Sequence, residues 1–258
     1  MQLDNKRIVV TGASSGIGKE MCQQLLQRQG VKVMGTASSD ASRLPQNNAF
    51  FPFVGDLSKE DTVDNLFDQG LQKMGGIDIF FANAGFSYIE KFGNPNWNHL
   101  ASIFQTNVFS PIYALQKMLQ THAHTARPFQ VVITASAISK LPFPYFSLYA
   151  STKFALDGFA RSVRPELPSH AQLVMAYPVA TRTRFFERNG EGAPVPGPAQ
   201  SAEQVARKIL RGVETGKQNI HFLPLMGGVV SLLALIPPLE RAFVRRQKKT
   251  FDESGFFG

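Results

Sequence analysis

Short, near-continuous apolar runs alternate along the chain with longer segments whose apolar residues recur at helical spacing. The runs predict strands at Arg7–Thr11, Val31–Thr36, Ala49–Val54, Ile77–Ala82, Phe129–Ala135, Gln172–Ala176 and Asn219–Phe222. The longer segments predict helices near Ile17–Arg28, Lys59–Lys73, Trp97–His122, Ser147–Glu166 and Ala202–Thr215. Strands separated by helices of this length imply parallel β-α-β units with right-handed crossovers. A run such as Ile77-Asp78-Ile79-Phe80-Phe81-Ala82 suits a sheet covered on both faces. The expected architecture is α/β, a doubly wound parallel sheet of about seven strands flanked by helices. No internal repeat is visible. The Pro/Gly-rich stretch Gly190–Pro198 reads as a loop, because the helix and strand after it can close the same sheet. One domain over residues 1–258 is expected, with a substrate loop at 184–200 and a C-terminal extension at 224–258.

Composition narrows the chemistry. A chain of 258 residues can bury a single deep core. The lone cysteine, Cys22, excludes an internal disulfide framework and any multi-cysteine metal site, which points to a reducing, cytoplasmic setting. His122 and His124 are two apart on a helix and face different ways, so no metal is expected. The first apolar run, Ile8-Val9-Val10, is too short for an export signal. The formal charge of +8 permits anionic partners, yet the basic runs carry no nucleic-acid motif. Phe222 to Leu239 is free of charge, but Pro224, Gly227, Gly228, Pro237 and Pro238 interrupt it. Its proline-free part, Leu225–Ile236, would rise only ~18 Å as a helix against a hydrocarbon core of ~30 Å. A span is not expected. Arg241, Arg245, Arg246, Lys248 and Lys249 follow, so the tail suits either an anionic membrane interface or packing on its own domain or a second subunit.

Candidate chemistry starts at Thr11-Gly12-Ala13-Ser14-Ser15-Gly16-Ile17-Gly18, between the first strand and the first helix. Gly12 permits a sharp exit from the strand, Gly16 lets backbone approach a pyrophosphate, and Gly18 lets the helix pack closely. The helix N-terminus then offers unspent N–H groups to an anion. The glycine spacing differs from the usual dinucleotide fingerprint, and it resembles the turn of the short-chain dehydrogenase/reductase family. Further motifs carry that resemblance in order. Asp56-Leu57 follows the third strand, Asn83-Ala84-Gly85 follows the fourth, and Asn107 lies in the long central helix. Ser136 ends the fifth strand, and Tyr149-Ala-Ser-Thr-Lys153 gives Tyr-x-x-x-Lys, thirteen residues after that serine. The likeness runs from about Lys6 to about Thr215. It implies a Rossmann-type oxidoreductase that interconverts a carbonyl and an alcohol with a nicotinamide dinucleotide. It also implies a homodimer or homotetramer.

The residues support that chemistry. Tyr149 and Lys153 stand at i and i+4 and share a helix face. A nearby ammonium favours the phenolate and is expected to lower the tyrosine's pKa from ~10. Tyr149 then exchanges a proton with the substrate oxygen, and Ser136 hydrogen-bonds the same oxygen. By resemblance, Asn107 holds a water linking Lys153 to solvent. By resemblance too, Gly12, Ser14, Ser15, Gly16, Ile17 and Gly18 hold the dinucleotide together with Asp56, Leu57, Asn83, Ala84, Gly85, Tyr149 and Lys153. Two readings compete: a dinucleotide-binding sensor or scaffold without turnover, against which the intact Ser136, Tyr149 and Lys153 count, and a membrane-associated partner protein whose tail matters more than its chemistry.

Cofactor choice turns on the end of the second strand. The resemblance puts Ala37 where NAD-preferring members carry Asp, and Ser38 where many NADP-preferring members carry Arg. Without a repelling acid, and with Ser38, Ser39 and Arg43 able to meet a phosphate, NADP is expected over NAD. Asp40 is the objection, unless it lies beyond the phosphate or caps a short helix. In Tyr177-Pro178-Val179-Ala180-Thr181-Arg182-Thr183, Pro178 and Thr183 match the nicotinamide-binding loop of the family, and Val179 replaces its glycine. A positive φ is costly for a β-branched residue, so another loop path is expected. Ile138, Phe143, Tyr145, Phe146, Phe185 and Phe186 are candidates to line an apolar pocket for a hydrophobic, lipid- or steroid-like carbonyl.

Overall fold

The computed structural model describes residues 1–93, 95–183, 185, 199–222 and 236–256. Phe186, the stretch Gly190–Pro198 and residues 225–235 of the apolar tail lie outside the described residues. The elements run β1 (Arg7–Val10), α1 (Gly16–Leu25), β2 (Lys32–Ala37), β3 (Phe50–Val54), α2 (Glu60–Met74), β4 (Ile79–Ala82), α3 (Trp97–Phe104), α4 (Ser110–His122), β5 (Phe129–Thr134), α5 (Ser147–Val163), β6 (Ala171–Tyr177), β7 (Thr181–Arg182), β8 (Gln200–Ser201), α6 (Ala202–Glu214), β9 (Asn219–His221) and α7 (Pro237–Glu253).

All seven expected strands form one parallel sheet in the order β3-β2-β1-β4-β5-β6-β9. The strand order reverses between β1 and β4, and a ligand crevice opens at the carboxyl ends of strands at such a point. Pro52 lies inside β3, which an edge strand tolerates because its N–H need not join a ladder.

Alternation along the strands sorts the core into two layers. Ile8, Val10 and Val33 face α1 and α6 through Met21, Leu25, Val205, Ile209 and Val213. Val9, Met34, Phe80, Val131 and Met175 face α2, α4 and α5 through Leu66, Phe67, Leu115, Met118 and Leu156. Cys22 is buried in the first layer, and burial raises its thiol pKa. A third, aromatic cluster forms beyond the sheet around Phe146, Leu148, Tyr149 and Phe251, and α7 completes it.

Two expected helices are interrupted. The segment Trp97–His122 contains a π-helical turn, Gln105–Phe109, between α3 and α4. The other ends as an α-helix at Val163, and Arg164–Glu166 tighten into a 3-10 turn where Pro165 removes a donor. Among the described residues, no helix is long and apolar enough to cross a membrane.

Candidate active site

The turn after β1 takes the backbone path that its glycines allow. Gly12 and Gly16 adopt φ of +69° and +53°, the left-handed region where a side chain is strained. A Cβ on Gly18 would stand 2.2 Å from the Gly12 carbonyl oxygen and 2.7 Å from the Asn83 amide nitrogen. Gly18 therefore packs the helix start against its own turn and the end of β4. It does not line the groove, which corrects its expected place among the ligand-contacting residues. The Ser15 side chain makes no cap hydrogen bond at the start of ten-residue α1, so the first-turn N–H groups remain available.

The end of β4 is fastened to the end of β1 through one hydroxyl. Thr11 Oγ1 accepts from the N–H groups of Asn83 and Ala84, each at 2.9 Å, and donates to the Phe81 carbonyl at 3.2 Å. The Asn83 amide donates to the Thr11 carbonyl at 3.0 Å and accepts from Thr134 Oγ1 at 3.2 Å. Three adjacent strand ends are thereby locked together.

A groove of about 860 Å³ runs over these ends. Gly12, Ser14, Ser15, Gly16, Ile17, Ser38, Asp56, Leu57, Asn83, Ala84 and Gly85 line one part, and Ser136, Tyr149, Lys153, Pro178, Val179 and Thr183 the other. The structure thus gathers every expected site residue at its wall except Gly18 and Asn107. The cradle of unoccupied Cβ positions at Gly12 and Gly16, the open helix N-terminus and the groove's length fit a dinucleotide. Val179 keeps a negative φ, so the loop after β6 does follow a path that a β-branched residue can take. Thr183 still reaches the glycine turn: a Cβ on Gly16 would lie 2.9 Å from its methyl group.

At the other end of the groove, Ser136 caps the short turn Ala137–Ser139 by accepting from the Ile138 N–H at 3.3 Å, and it lines the wall together with Tyr149. Lys153 Nζ donates to the Thr134 carbonyl at 2.9 Å and lies 5.4 Å from the centre of the Tyr149 ring. Without ligand, burial dominates both titrations. It raises the Tyr149 phenol to about 12, against a smaller opposing pull from Ser136, and lowers the Lys153 ammonium to about 8. Burial thus raises the phenol where a neighbouring ammonium was expected to lower it. The ammonium faces the ring and the Thr134 carbonyl, and it does not offset the lost hydration of the hydroxyl. Asn107 is fully buried away from the groove. Its amide accepts from the Phe86 N–H at 3.1 Å and donates to the Phe86 carbonyl at 2.9 Å and to Thr152 Oγ1 at 3.2 Å. Its side chain props the wall behind Lys153.

The far end of β2 carries no acid toward the groove. Asp40 turns back to bind the Ser42 N–H at 2.8 Å and the Ser42 hydroxyl at 2.6 Å, and these bonds lower its pKa. Arg43 lines the groove beside Ser38. An adjoining hollow is lined by Ser14, Ser15, Gly16, Lys19 and Arg43. Lys19 escaped the sequence reading, although its place one turn into α1 puts it beside the glycine loop.

Phe86, Ile138, Leu141, Phe143, Phe146 and Phe185 form the apolar chamber next to Tyr149. Tyr145 does not line it. Tyr145 has a φ of +66°, unusual for an aromatic residue, and its hydroxyl donates to Asp252 on α7. Phe243 and Gln247 of α7 complete the chamber, and the sequence reading missed both. The four-residue interval from Phe243 through Gln247 to Phe251 was the available signal, masked by the cations around it.

A family model described as short chain dehydrogenase matches residues 6–193. An "11-beta-hydroxysteroid dehydrogenase" of Pinus massoniana is 25% identical over 92% of this chain and 72% of its own. A "Hydroxysteroid 11-beta-dehydrogenase 1-like protein" of Xenopus tropicalis is 31% identical over 64% of this chain, which spans 59% of that relative. Among solved structures, a short chain dehydrogenase/reductase from Burkholderia phymatum in complex with NAD superposes with a TM-score of 0.82 at 19% identity, covering 93% of this chain and 96% of the other. One from Burkholderia cenocepacia in complex with NADP gives a TM-score of 0.79 at 17% identity, covering 96% and 99%. At these identities the superpositions speak for the fold.

Proposed function

The chain belongs to the short-chain dehydrogenase family, an oxidoreductase acting on CH–OH groups with a nicotinamide dinucleotide, and from that premise we propose that it reduces a hydrophobic, lipid- or steroid-like carbonyl using NADPH. One observation carries the reading: Ser136, Tyr149 and Lys153 stand together at the groove wall, where an apolar chamber meets the glycine cradle.

Tyr149 donates its phenolic proton to the carbonyl oxygen of the substrate. Ser136 donates a second hydrogen bond to that oxygen and stabilises its developing charge. Lys153, charged below about pH 8, stabilises the phenolate left behind and passes it a proton in turn. Asn107 acts behind them, holding Phe86 and Thr152 so that Lys153 keeps its place and a relay water can reach it. Gly12, Ser14, Ser15, Gly16 and Ile17 cradle the pyrophosphate. Asp56, Leu57, Asn83, Ala84 and Gly85 border the adenosine half, and Pro178, Val179 and Thr183 hold the nicotinamide end. The bound dinucleotide supplies the hydride.

The preference for NADPH rests on the missing acid at Ala37, on Ser38 and Arg43 in the groove, and on Lys19 close by. The apolar substrate class rests on the phenylalanine-rich chamber and agrees with the names of the two relatives. Exposed Phe109 and Phe154, on neighbouring helical segments, support a homodimer or homotetramer. The exposed cations of α7 support peripheral contact with an anionic membrane. Flotation with phosphatidylserine liposomes tests that contact, and it should weaken when Arg241, Arg245 and Arg246 are changed to Glu. Undiminished flotation refutes it.

Tyr149→Phe tests the central role. With NADPH and a panel of hydrophobic ketones, kcat should fall about 10²- to 10⁴-fold while cofactor affinity stays within about twofold. Unchanged turnover would overturn the assignment.

A further inference from the structure

The inner face of α7 is not uniformly apolar. Phe243, Gln247 and Phe251 recur every four residues and share one side of the helix. Phe251 is buried against Phe143, Tyr145 and Phe146 at ring distances of 5.6–6.0 Å, and Phe243 meets Phe143 at 6.3 Å. Gln247 lies between them, half-buried, and lines the groove. Its amide makes no hydrogen bond among the described residues, and Phe143, Phe146 and Phe243 line the same groove. An amide at the groove wall loses water when a ligand covers it, and a ligand without a matching group then binds less tightly.

We propose that Gln247 is a specificity residue that hydrogen-bonds an oxygen at the end of the substrate remote from the reacting carbonyl. The path from the reaction centre to α7 is three aromatic steps: Tyr149 to Phe146 at 6.4 Å, Phe146 to Phe143 at 5.6 Å, and Phe143 to Phe243 at 6.3 Å. Tyr149 and Gln247 line the same groove with this aromatic wall between them, so a ligand that touches both would present oxygens at two ends of an apolar body. A polar clasp on the helix fixes the height of Gln247. Asp252 accepts from the Tyr145 hydroxyl and from Lys248 Nζ, the latter at 2.7 Å, and Lys248 lies 5.8 Å above the Tyr145 ring. The inference deepens the proposed reading and borrows from it only which end of the substrate reacts.

The test is a binding measurement on the full chain loaded with NADP⁺. Androstanedione and its counterpart lacking the remote ketone are titrated calorimetrically into wild type and Gln247→Leu. Wild type should bind the diketone about tenfold more tightly. Gln247→Leu should lose that preference and keep its affinity for the monoketone. Equal affinities in wild type, a preference that survives Gln247→Leu, or binding of neither ketone would overturn the proposal. Turnover of the monoketone with NADPH, measured alongside in wild type and Tyr149→Phe, separates the two readings. Intact discrimination without turnover refutes the reductase assignment and leaves the role of Gln247 standing.

Discussion

Lys153→Met removes the buried cation of the reaction centre and should flatten the alkaline limb of the stability profile. In the folded, cofactor-free protein the Lys153 ammonium releases its proton near pH 8, whereas in the unfolded chain it keeps it to its ordinary value of 10.5. Between those values the unfolded state binds more protons, so folding becomes more favourable as pH rises. Between pH ~7 and pH ~9.5 the linkage amounts to about 2 kcal/mol. For a protein of this size that is about 4–8 °C in Tm. Tyr149 acts in the opposite sense but later: its folded-state value of about 12 exceeds the ordinary 10, so it erodes stability only above pH ~10. Thermal unfolding of wild type and Lys153→Met at half-unit steps over this range isolates the effect, because the other lysines titrate alike in both proteins. The difference between the two profiles should shift in favour of wild type as pH rises. Parallel profiles would show that Lys153 is solvated in the absence of cofactor, and would remove the physical basis for its place in proton transfer.

The remaining expectations concern the cofactor cradle. Arg43→Ala should lower kcat/KM for NADPH about 10- to 100-fold and leave NADH nearly unaffected, because only the former offers a 2′-phosphate to pair. Equal losses with both cofactors would place Arg43 elsewhere. Gly18→Ala puts a methyl group 2.2 Å from the Gly12 carbonyl oxygen, so the turn must shift. Cofactor affinity, read by nicotinamide fluorescence, should fall at least about tenfold, and urea unfolding should show a loss of about 1–3 kcal/mol. A variant matching wild type in both would mean that the turn tolerates displacement.

Much of this fold is legible in the sequence because the strands are buried on both faces. Val9 and Val10 point to opposite layers, and both had to be apolar, so β1 shows as an unbroken run. The proposed catalytic set is visible in the sequence because its members lie at fixed intervals on local elements, as Tyr149 and Lys153 do along α5. The misses share a different cause. The π turn at Asn107 depends on a partner, the Phe86 main chain, that lies 21 residues earlier. The inner face of α7 is two phenylalanines and a glutamine among many charges, an apolar stripe too thin for periodicity to expose. The raised phenol could not be inferred from a lysine four residues away, since desolvation depends on what the whole chain packs around the hydroxyl.

The hydroxyl of Thr11 has a consequence for how molecules enter. Parting the first and fourth strands at their ends would strand two main-chain donors at once, so the nucleotide's side of the cleft is a fixed jaw, set before any ligand arrives. The opposite jaw is α7, held by phenylalanine rings and a surface clasp of side chains, not by a ladder of backbone bonds. The seat beside the glycine turn is therefore set by the main chain itself, whereas the wall formed by α7 is set by side chains alone.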